Sequence, residues 1–542
     1  MELYSIENFH FTYQGAAGEA LGGVNLTVNS GDFVLLCGTS GCGKTTLLRH
    51  MKRALAPHGQ QSGRILYKGT PISALDDETA AFEIGFVMQN PDEQIVCDKV
   101  YKELAFGLES MGVENGIIRR RVAEIASFLG LGSWFTRDCA TLSGGQKQIL
   151  NLASVMVMQP EVILLDEPTA QLDPIAAMEF IEVIKRINRE LSMTIVLSEH
   201  RLDDVFGAAT QVIVMEQGRL LCGAPPKNLM RQMRESGIQT PVAKGFPAPV
   251  QVYGALGGAG ECPVDVREGR LFLEGRIPDD VPPPPEQTRK AGPEAMRVSD
   301  VFFKYEKSGA DVLKGLDLSV YAGEVLCVLG ANAAGKSTAL SVMAGVKKPY
   351  RGRVKCFEKQ GEGRYTPALL PQSPAALFLY DTVWEDLVSV GGAHAAEAAL
   401  SSIGILHLKD RNPLDLSGGE MQKAALAKLL LAKKDVLLLD EPTKGLDAPY
   451  KEELAALLHR QAKEGKAVVL ASHDVEFAAR YADRCVMLFD GCVMSQDTPR
   501  RFFSENNYYT TSANKMVRHK ARWALTAEDV IWLCKRKQEE KR

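Results

Sequence analysis

The hydrophobic positions of this chain fall into short unbroken runs separated by segments with helical spacing. Phe33–Cys37 and Val325–Leu329 are five-residue apolar runs, the pattern of strands buried on both faces. Each leads into a glycine-rich loop and then a segment that reads as a helix start. Val162–Leu165 and Val436–Leu439 are apolar runs that stop at an aspartate. Phe86–Gln89 and Leu369–Gln372 read as strands ending in glutamine. Ile149–Met158 and Met421–Leu431 carry the spacing of amphipathic helices. No run reaches the roughly 18 consecutive apolar residues of a membrane-spanning helix. The opening residues show no basic region followed by an apolar core, so no signal peptide is expected.

These elements recur in one order, twice. Gly38-Thr39-Ser40-Gly41-Cys42-Gly43-Lys44-Thr45 and Gly330-Ala331-Asn332-Ala333-Ala334-Gly335-Lys336-Ser337 both fit the phosphate-loop pattern in its strand–loop–helix setting. Glycines let backbone N–H groups close around a polyphosphate, and the helix start adds a favourable dipole. Lys44 supplies a point charge for the phosphates and Thr45 a hydroxyl for Mg²⁺. Tyr13 and Tyr305 each precede their lysine by 31 positions (44 − 13; 336 − 305), where an aromatic ring can stack on a purine. Asp98–Leu104 and Asp381–Leu387 read as matching helix starts with an aspartate near the N-cap. Leu142-Ser143-Gly144-Gly145 and Leu416-Ser417-Gly418-Gly419 each open a helix, as an ordinary N-cap or as a second anion site. Asp166-Glu167-Pro168 and Asp440-Glu441-Pro442 end strands in paired carboxylates. His200 and His473 follow these pairs at nearly equal offsets (200 − 167 = 33; 473 − 441 = 32), which favours a functional role for both.

The length of 542 residues calls for two to four domains. We expect a first repeat at 1–233, a Pro/Gly-rich connector at 234–294, a second repeat at 295–500 and a tail at 501–542. A small hairpin is expected at Arg267–Leu273 in the connector, and a solvated, charged end in the tail. The apolar and charged fractions, 45% and 24%, are those of soluble globular proteins, and the net charge of −4 argues against a general nucleic-acid binder. Eleven cysteines show no metal-ligand spacing, which suits a reducing compartment. Cys42, beside a phosphate site and a helix start, is expected to be alkylated with loss of activity and to be protected by ATP.

Taken together, the ordered motifs resemble the ATP-binding-cassette family in both halves of the chain. The resemblance implies an α/β fold of two tandem P-loop NTPase cassettes. Each would have a RecA-like core, an antiparallel β subdomain and a helical signature subdomain. It implies intramolecular pairing, with Lys44 sharing a nucleotide with Ser417 and Lys336 with Ser143. ATP would be contacted by Tyr13, Gly38, Ser40, Gly41, Cys42, Gly43, Lys44, Thr45 and Thr46. The second set is Tyr305, Gly330, Asn332, Ala333, Ala334, Gly335, Lys336, Ser337 and Thr338. Gln89, Gln372 and the signature residues Ser143, Gly145, Ser417 and Gly419 complete the sites. Mg²⁺ would be held by Thr45, Gln89 and Asp166 in one site and by Ser337, Gln372 and Asp440 in the other. Glu167 and Glu441 would polarise the attacking water, and His200 and His473 would contact the γ-phosphate. Ala333 stands where the first loop has Gly41, and Glu420 where the first signature has Gln146. Two hydrolytic sites of unequal rate are therefore expected.

Finer resemblance points to the ATPases of energy-coupling-factor importers. It rests on Gln89-Asn90-Pro91-Asp92-Glu93-Gln94-Ile95-Val96, Glu103–Glu109, Ser198–Val205 and Phe503–Tyr509. Gln372-Ser373-Pro374-Ala375 departs from that pattern in the second copy. The resemblance implies a peripheral protein at the cytoplasmic face of the cell membrane. Its partners would be a transmembrane coupling protein and a membrane substrate-binding protein, with no nucleic acid. The other class open to a twin cassette is a soluble ATPase acting on ribosomes or nucleic acid. Such proteins resemble two cassettes joined by a long charged helical linker, whereas this connector is rich in Pro and Gly.

Overall fold

Why the apolar runs become central strands is seen in their burial. Phe33, Val34, Leu35 and Leu36 are all essentially inaccessible to solvent, each contributing about 1.5–3 kcal/mol of burial free energy. In the computed structural model, which describes residues 1–16, 18–258, 260–278, 281–284, 292–359 and 363–540, the chain forms two compact units. One is Met1–Gly269 with Asp447–Pro449; the other is Arg270–Leu446 with Tyr450–Arg542.

The first unit has a six-stranded sheet in the order Arg219–Ala224, Gln211–Glu216, Phe33–Gly38, Thr194–Ser198, Val162–Asp166, Ile84–Val87. Its strands are parallel except for the antiparallel edge Arg219–Ala224. Phe33–Gly38, the strand that carries the phosphate loop, therefore lies inside the sheet with Thr194–Ser198 and Gln211–Glu216 as neighbours. A second, antiparallel sheet contains Leu21–Asn29, Glu2–Tyr13, Gly59–Tyr67 and Thr70–Pro71. One apolar core runs from Tyr4 and Phe9 of that sheet through Leu47 and Met51 to Leu36 and Leu164 of the parallel sheet. The phosphate-loop helix Lys44–His50 is thus wedged between two sheets. Tyr4 Oη donates to the Met51 carbonyl at 2.7 Å, and His50 sits edge-on to Phe9 and Phe11 while its Nδ1 donates to the Thr46 carbonyl at 2.7 Å. Helices Val100–Ser110, Asn115–Phe128 and Gly144–Met156 form the helical region between the glutamine and carboxylate strands.

The second unit repeats the plan. Its six strands follow the same order: Cys492–Asp497, Arg484–Phe489, Val325–Leu329, Ala467–Ser472, Val436–Asp440, Pro367–Leu370. A three-stranded antiparallel sheet holds Leu313–Tyr321, Glu294–Phe303 and Arg351–Cys356. Its helical region is shorter, with Val383–Gly391 and Ala393–Ser402 ahead of Gly418–Leu431. Among the described residues no helix is long and apolar enough to cross a membrane.

Two expectations are corrected, the connector hairpin and the solvated tail. Arg267–Leu273 is not a hairpin: Val266–Phe272 is a helix, and Ala248–Leu256 is another, with Val250, Val252 and Tyr253 buried. The helix starts near Asp98 and Asp381 are as expected: the two aspartates stand next to the N-caps Lys99 and Thr382, where Asp98 pairs with Lys102 at 2.9 Å and Thr382 accepts the Glu385 N–H at 3.1 Å. The tail is not a solvated end, because Phe502, Phe503, Met516, Leu525, Val530 and Leu533 are buried in it. Trp523 Nε1 donates to the Val281 carbonyl and Lys537 Nζ to that of Ile277, both at 2.8 Å, so the tail holds the end of the connector. Ala259 and Pro285 of the connector's Gly- and Pro-rich runs, and residues 541–542 of the tail, lie outside the described residues.

Asn514 is the polar centre of the tail. Fully buried, it donates to the carbonyls of Arg522 at 2.7 Å and Ala524 at 2.9 Å. Asn514→Ala leaves both acceptors unpaired and is expected to cost about 2–3 kcal/mol, read as a lower urea midpoint for the second unit.

Candidate active sites

In each unit a parallel strand ends in the loop that cradles a buried lysine. Gly41 and Gly43 adopt φ of 75° and 100°, and a Cβ on Gly43 would meet the Ala20 carbonyl oxygen at 2.8 Å, so the turn requires glycine. Lys44, 4% exposed, donates to the carbonyls of Gly38 at 3.1 Å and Thr39 at 3.2 Å. Its Nζ lies 3.7 Å from Glu167 Oε1. Lys336 repeats this with the carbonyls of Gly330 (2.7 Å) and Ala331 (3.2 Å) and with Glu441 Oε1 at 3.6 Å. Ser40 and Asn332 stand exposed at the loop tips. Tyr13 Oη is 2.9 Å from Thr46 Oγ1 and Tyr305 Oη 3.0 Å from Thr338 Oγ1. Both tyrosines are therefore fixed beside the loop helix with their rings partly in solvent.

The second loop pays a conformational cost. Ala333 adopts φ of 60° where Gly41 has 75°, about 1 kcal/mol for a residue with a Cβ. Ala334 and Gly335 are buried beneath it.

The paired carboxylates are split by the strand end. Asp166 accepts from Thr45 Oγ1 at 3.0 Å and from Ser198 Oγ at 2.9 Å. Burial, and then the Glu167 charge, push its carboxyl above the usual range against those two bonds. Glu167 turns away at φ 43°, and Glu441 likewise at 50°, a strained backbone of the kind found at functional sites. In the first unit Gln89 Nε2 donates to Glu167 Oε2 at 3.0 Å and His200 Nε2 lies 2.8 Å from Oε1. Burial alone would raise the Glu167 carboxyl, but the charges of His200 and Lys44 hold it below its usual range. Lys44, Thr45, Gln89, Asp166, Glu167 and His200 thus form one cluster.

The second cluster is looser. His473 Nδ1 is 2.9 Å from Glu441 Oε2 but is not aligned as a hydrogen bond. Gln372 is exposed and makes no hydrogen bond to Glu441. Burial raises the Asp440 carboxyl, opposed by a hydrogen bond with Ser337, and its buried Oδ1 has no partner among the described residues. A hydroxyl beside a carboxylate with an open oxygen is a hard-oxygen donor set that fits Mg²⁺ completed by phosphate and water. Thr45 with Asp166, and Ser337 with Asp440, have that chemistry.

Ser143 and Ser417 both cap their helices. Ser143 Oγ accepts the Gln146 N–H at 3.3 Å while Gln146 Oε1 accepts the Ser143 N–H at 3.0 Å. In the second signature the Ser417 hydroxyl also donates to Glu420 Oε2 at 2.7 Å, so replacing Gln by Glu ties up the hydroxyl. Gly145 is needed for packing, since a Cβ there would lie 3.0 Å from that of Ala176, whereas Gly419 has more space.

One residue carries more than its sequence position suggested. Glu199, 2% exposed, accepts from the Thr169 N–H at 3.0 Å and hydroxyl at 2.6 Å, and its Oε2 accepts the His200 N–H at 3.1 Å. It sets the backbone of the histidine turn, and Ser472 takes its place in the second copy. The available signal was a charged residue at the end of an otherwise apolar strand. Cys42 carries less. It is 2% exposed, and burial raises its thiol pKa despite the nearby Lys44, so the basis for its alkylation is lost and it acts as a small filler under the loop.

The ABC transporter family model matches residues 21–170 and 313–444. The chain belongs to the ABC transporter family. A Bacillus anthracis protein, provisionally named an ABC transporter ATP-binding protein, is 43% identical over 98% of both chains. One from Methanosarcina acetivorans is 32% identical, covering 92% of this chain and 86% of its own. An archaeal ribosome recycling factor, aABCE1, solved with the ribosomal stalk protein aP1, matches 92% of this chain and 91% of its own. Its TM-score is 0.58 at 20% identity, a likeness of fold. As a member of this ABC ATPase family, the chain is an ATPase with two tandem P-loop cassettes.

The depressed Glu167 pKa makes a signed prediction. A carboxyl whose folded value lies below the unfolded value of about 4.3 stabilises the fold fully above that pH and loses this as pH falls through the folded value. Wild type is expected to melt above Glu167→Gln near pH 6, with the gap closing on acidification below about pH 4. Thermal melts across pH check this.

Proposed function

We propose that this chain is the ATP-hydrolysing subunit of a membrane importer of the energy-coupling-factor kind, which takes up a vitamin, a metal ion or a similar micronutrient. It works as a peripheral protein at the cytoplasmic face, docked on a transmembrane coupling protein that acts with a membrane substrate-binding protein. The observation that carries the reading is the segment after Gln89. Val96 is 67% exposed, and Tyr101 and Phe106 also face solvent. The segment's backbone is nevertheless held firmly. Buried Glu103 accepts the N–H groups of Val96 at 3.0 Å and Cys97 at 2.7 Å, and Asn151 donates to the Pro91 carbonyl at 3.2 Å. Apolar side chains displayed on a fixed backbone suit a docking surface. In the second copy Leu379 and Tyr380 are exposed and their N–H groups are held by Asp386.

In this reading each buried lysine and its loop amides bind the phosphates, Tyr13 and Tyr305 stack on the bases, and each signature serine closes the other cassette's site. Thr45 with Asp166, and Ser337 with Asp440, would hold Mg²⁺, which would supply neutralisation of phosphate charge. Glu167, kept ionised by His200 and Lys44, orients a water whose oxygen attacks the γ-phosphorus as the bond to the ADP oxygen breaks, and it accepts the proton released. Catalysis is mostly positioning and charge neutralisation. The tighter first cluster, the strained Ala333 and the occupied Ser417 hydroxyl support two hydrolytic sites of unequal rate. ATP binding then closes the cassette pair, hydrolysis reopens it, and the motion passes through the segments after Gln89 and Gln372.

Single Glu167→Gln and Glu441→Gln variants are each expected to lower ATP turnover, by unequal factors, and the double variant to abolish it. If one single change leaves turnover untouched while the other abolishes it, only one site hydrolyses. The tagged chain is expected to co-purify from membranes with an integral-membrane protein. Recovery only in soluble or ribosomal fractions contradicts the importer reading.

A further inference from the structure

The two copies differ at a seam outside the nucleotide sites, where the helical region meets the helix after the carboxylate strand. In the first copy an arginine closes it. The Arg186 guanidinium of helix Pro174–Leu191 lies over the Phe128 ring, 4.3 Å from its centre, and donates to the Phe128 carbonyl at 2.7 Å. A planar cation on an aromatic face is a favourable pairing.

The second copy keeps the arginine and loses the ring. Arg460 follows Asp447 by the 13 positions that separate Arg186 from Asp173 (460 − 447; 186 − 173). Ser402 is the last residue of helix Ala393–Ser402, as Phe128 is of Asn115–Phe128, and the glycines two positions on, Gly130 and Gly404, share φ of 70° and 74°. Serine thus stands where the first copy has phenylalanine. Ser402 and Arg460 line an open cleft of about 710 Å³, a volume typical of small-molecule sites. Its apolar wall includes Leu454 and Leu457, both buried, with Ile403 beside them. Arg460 and Lys463 line it with no hydrogen bond or ion pair from their side chains among the described residues. Glu453, the acid on its wall among the described residues, is offset by Lys423 at 4.0 Å.

We propose that this cleft binds a small aromatic anion, a planar carboxylate. Its ring lies on the Arg460 guanidinium, in the place that Phe128 takes over Arg186, and covers the leucine wall. Its charge is met by Lys463 and the serine hydroxyls at the end of helix Ala393–Ser402. A neutral ring would leave the cations without an acceptor, and an inorganic anion would leave the leucines uncovered. Bound there, the ligand joins the helical region to helix Ala448–Lys463, the tie that Arg186 makes alone in the first copy. The inference is independent of the transported solute and of the membrane partner.

The test is calorimetric titration of the full chain with 2-naphthoate, with AMP-PNP and Mg²⁺ held saturating so that the nucleotide sites are occupied. One 2-naphthoate per chain is expected, with neutral 2-naphthalenemethanol binding about tenfold more weakly. Arg460→Gln should weaken 2-naphthoate about tenfold, the effect of one lost charged partner. Ser402→Phe should abolish binding by refilling the cleft, and Arg460→Gln, at an exposed position, decides the matter if Ser402→Phe does not fold. Arg189→Gln, which removes an exposed cation at the matching place in the first copy, should leave binding unchanged. A wild-type dissociation constant weaker than about 1 mM, or binding undiminished in Arg460→Gln, overturns the site. Equal weakening by Arg189→Gln overturns its placement, and equal affinity for the neutral alcohol overturns the anionic class.

Discussion

A buried ammonium is costly to hold, and each unit is arranged around one. Lys44 and Lys336 are almost fully removed from water, each gripping two loop carbonyls with a glutamate oxygen 3.6–3.7 Å away. Such a charge needs a polar cradle and an anion to offset its desolvation. The strand that delivers the loop is therefore interior to its sheet, its helix is clamped between two sheets, and the strand next but one to it ends in carboxylates. Glu167 and Glu441 leave that strand with positive φ, so each carboxylate turns toward its lysine instead of following the sheet. The arrangement has the logic of a site that accepts a polyphosphate and then directs water at it.

The two copies spend this design differently. In the first, Gln89, His200 and Lys44 surround Glu167, and Glu199 fixes the histidine backbone from behind. In the second, Ser472 replaces Glu199, Gln372 leaves Glu441 unbonded, and Asp440 keeps an open oxygen. Removing one buried carboxylate lightens the desolvation load on the second site, but it also removes the group that orders the histidine turn. The helix after that turn is instead bonded to the tail, through the Ser512 N–H on Glu476 and through Arg480 on Glu528. The asymmetry therefore extends from single substitutions in the loops to the segment that follows the second cassette.

How much was legible in the sequence follows from the range of the interactions. The strands, both phosphate loops, the carboxylate pairs and the α/β plan were readable because they depend on local runs and fixed spacings. The positive φ at position 333 was readable too, since Gly41 marks its counterpart. The connector and tail were not, because their helices are stabilised by distant partners: Trp523 by the Val281 carbonyl, Lys537 by that of Ile277. Asp98 and Asp381 marked the helix starts, but the anchor of the first of these helices, Glu103 folding back on Val96 and Cys97, depends on a carboxylate several positions further on. Cys42 stands beside Lys44 in sequence, yet burial keeps it from solvent and raises its thiol pKa. Glu199 was visible as a residue, but its role depends on Thr169, thirty positions away in the turn after the strand Val162–Asp166.

The central claim is that one chain carries two nucleotide sites, each built on its own buried lysine. The most direct measurement is the stoichiometry of ATP bound at saturation, with Mg²⁺ present, to the double variant Glu167→Gln/Glu441→Gln, in which hydrolysis does not deplete the ligand. The account predicts two ATP per chain, falling to one when either Lys44 or Lys336 is replaced by alanine. A single ATP per chain before either lysine is changed would contradict it.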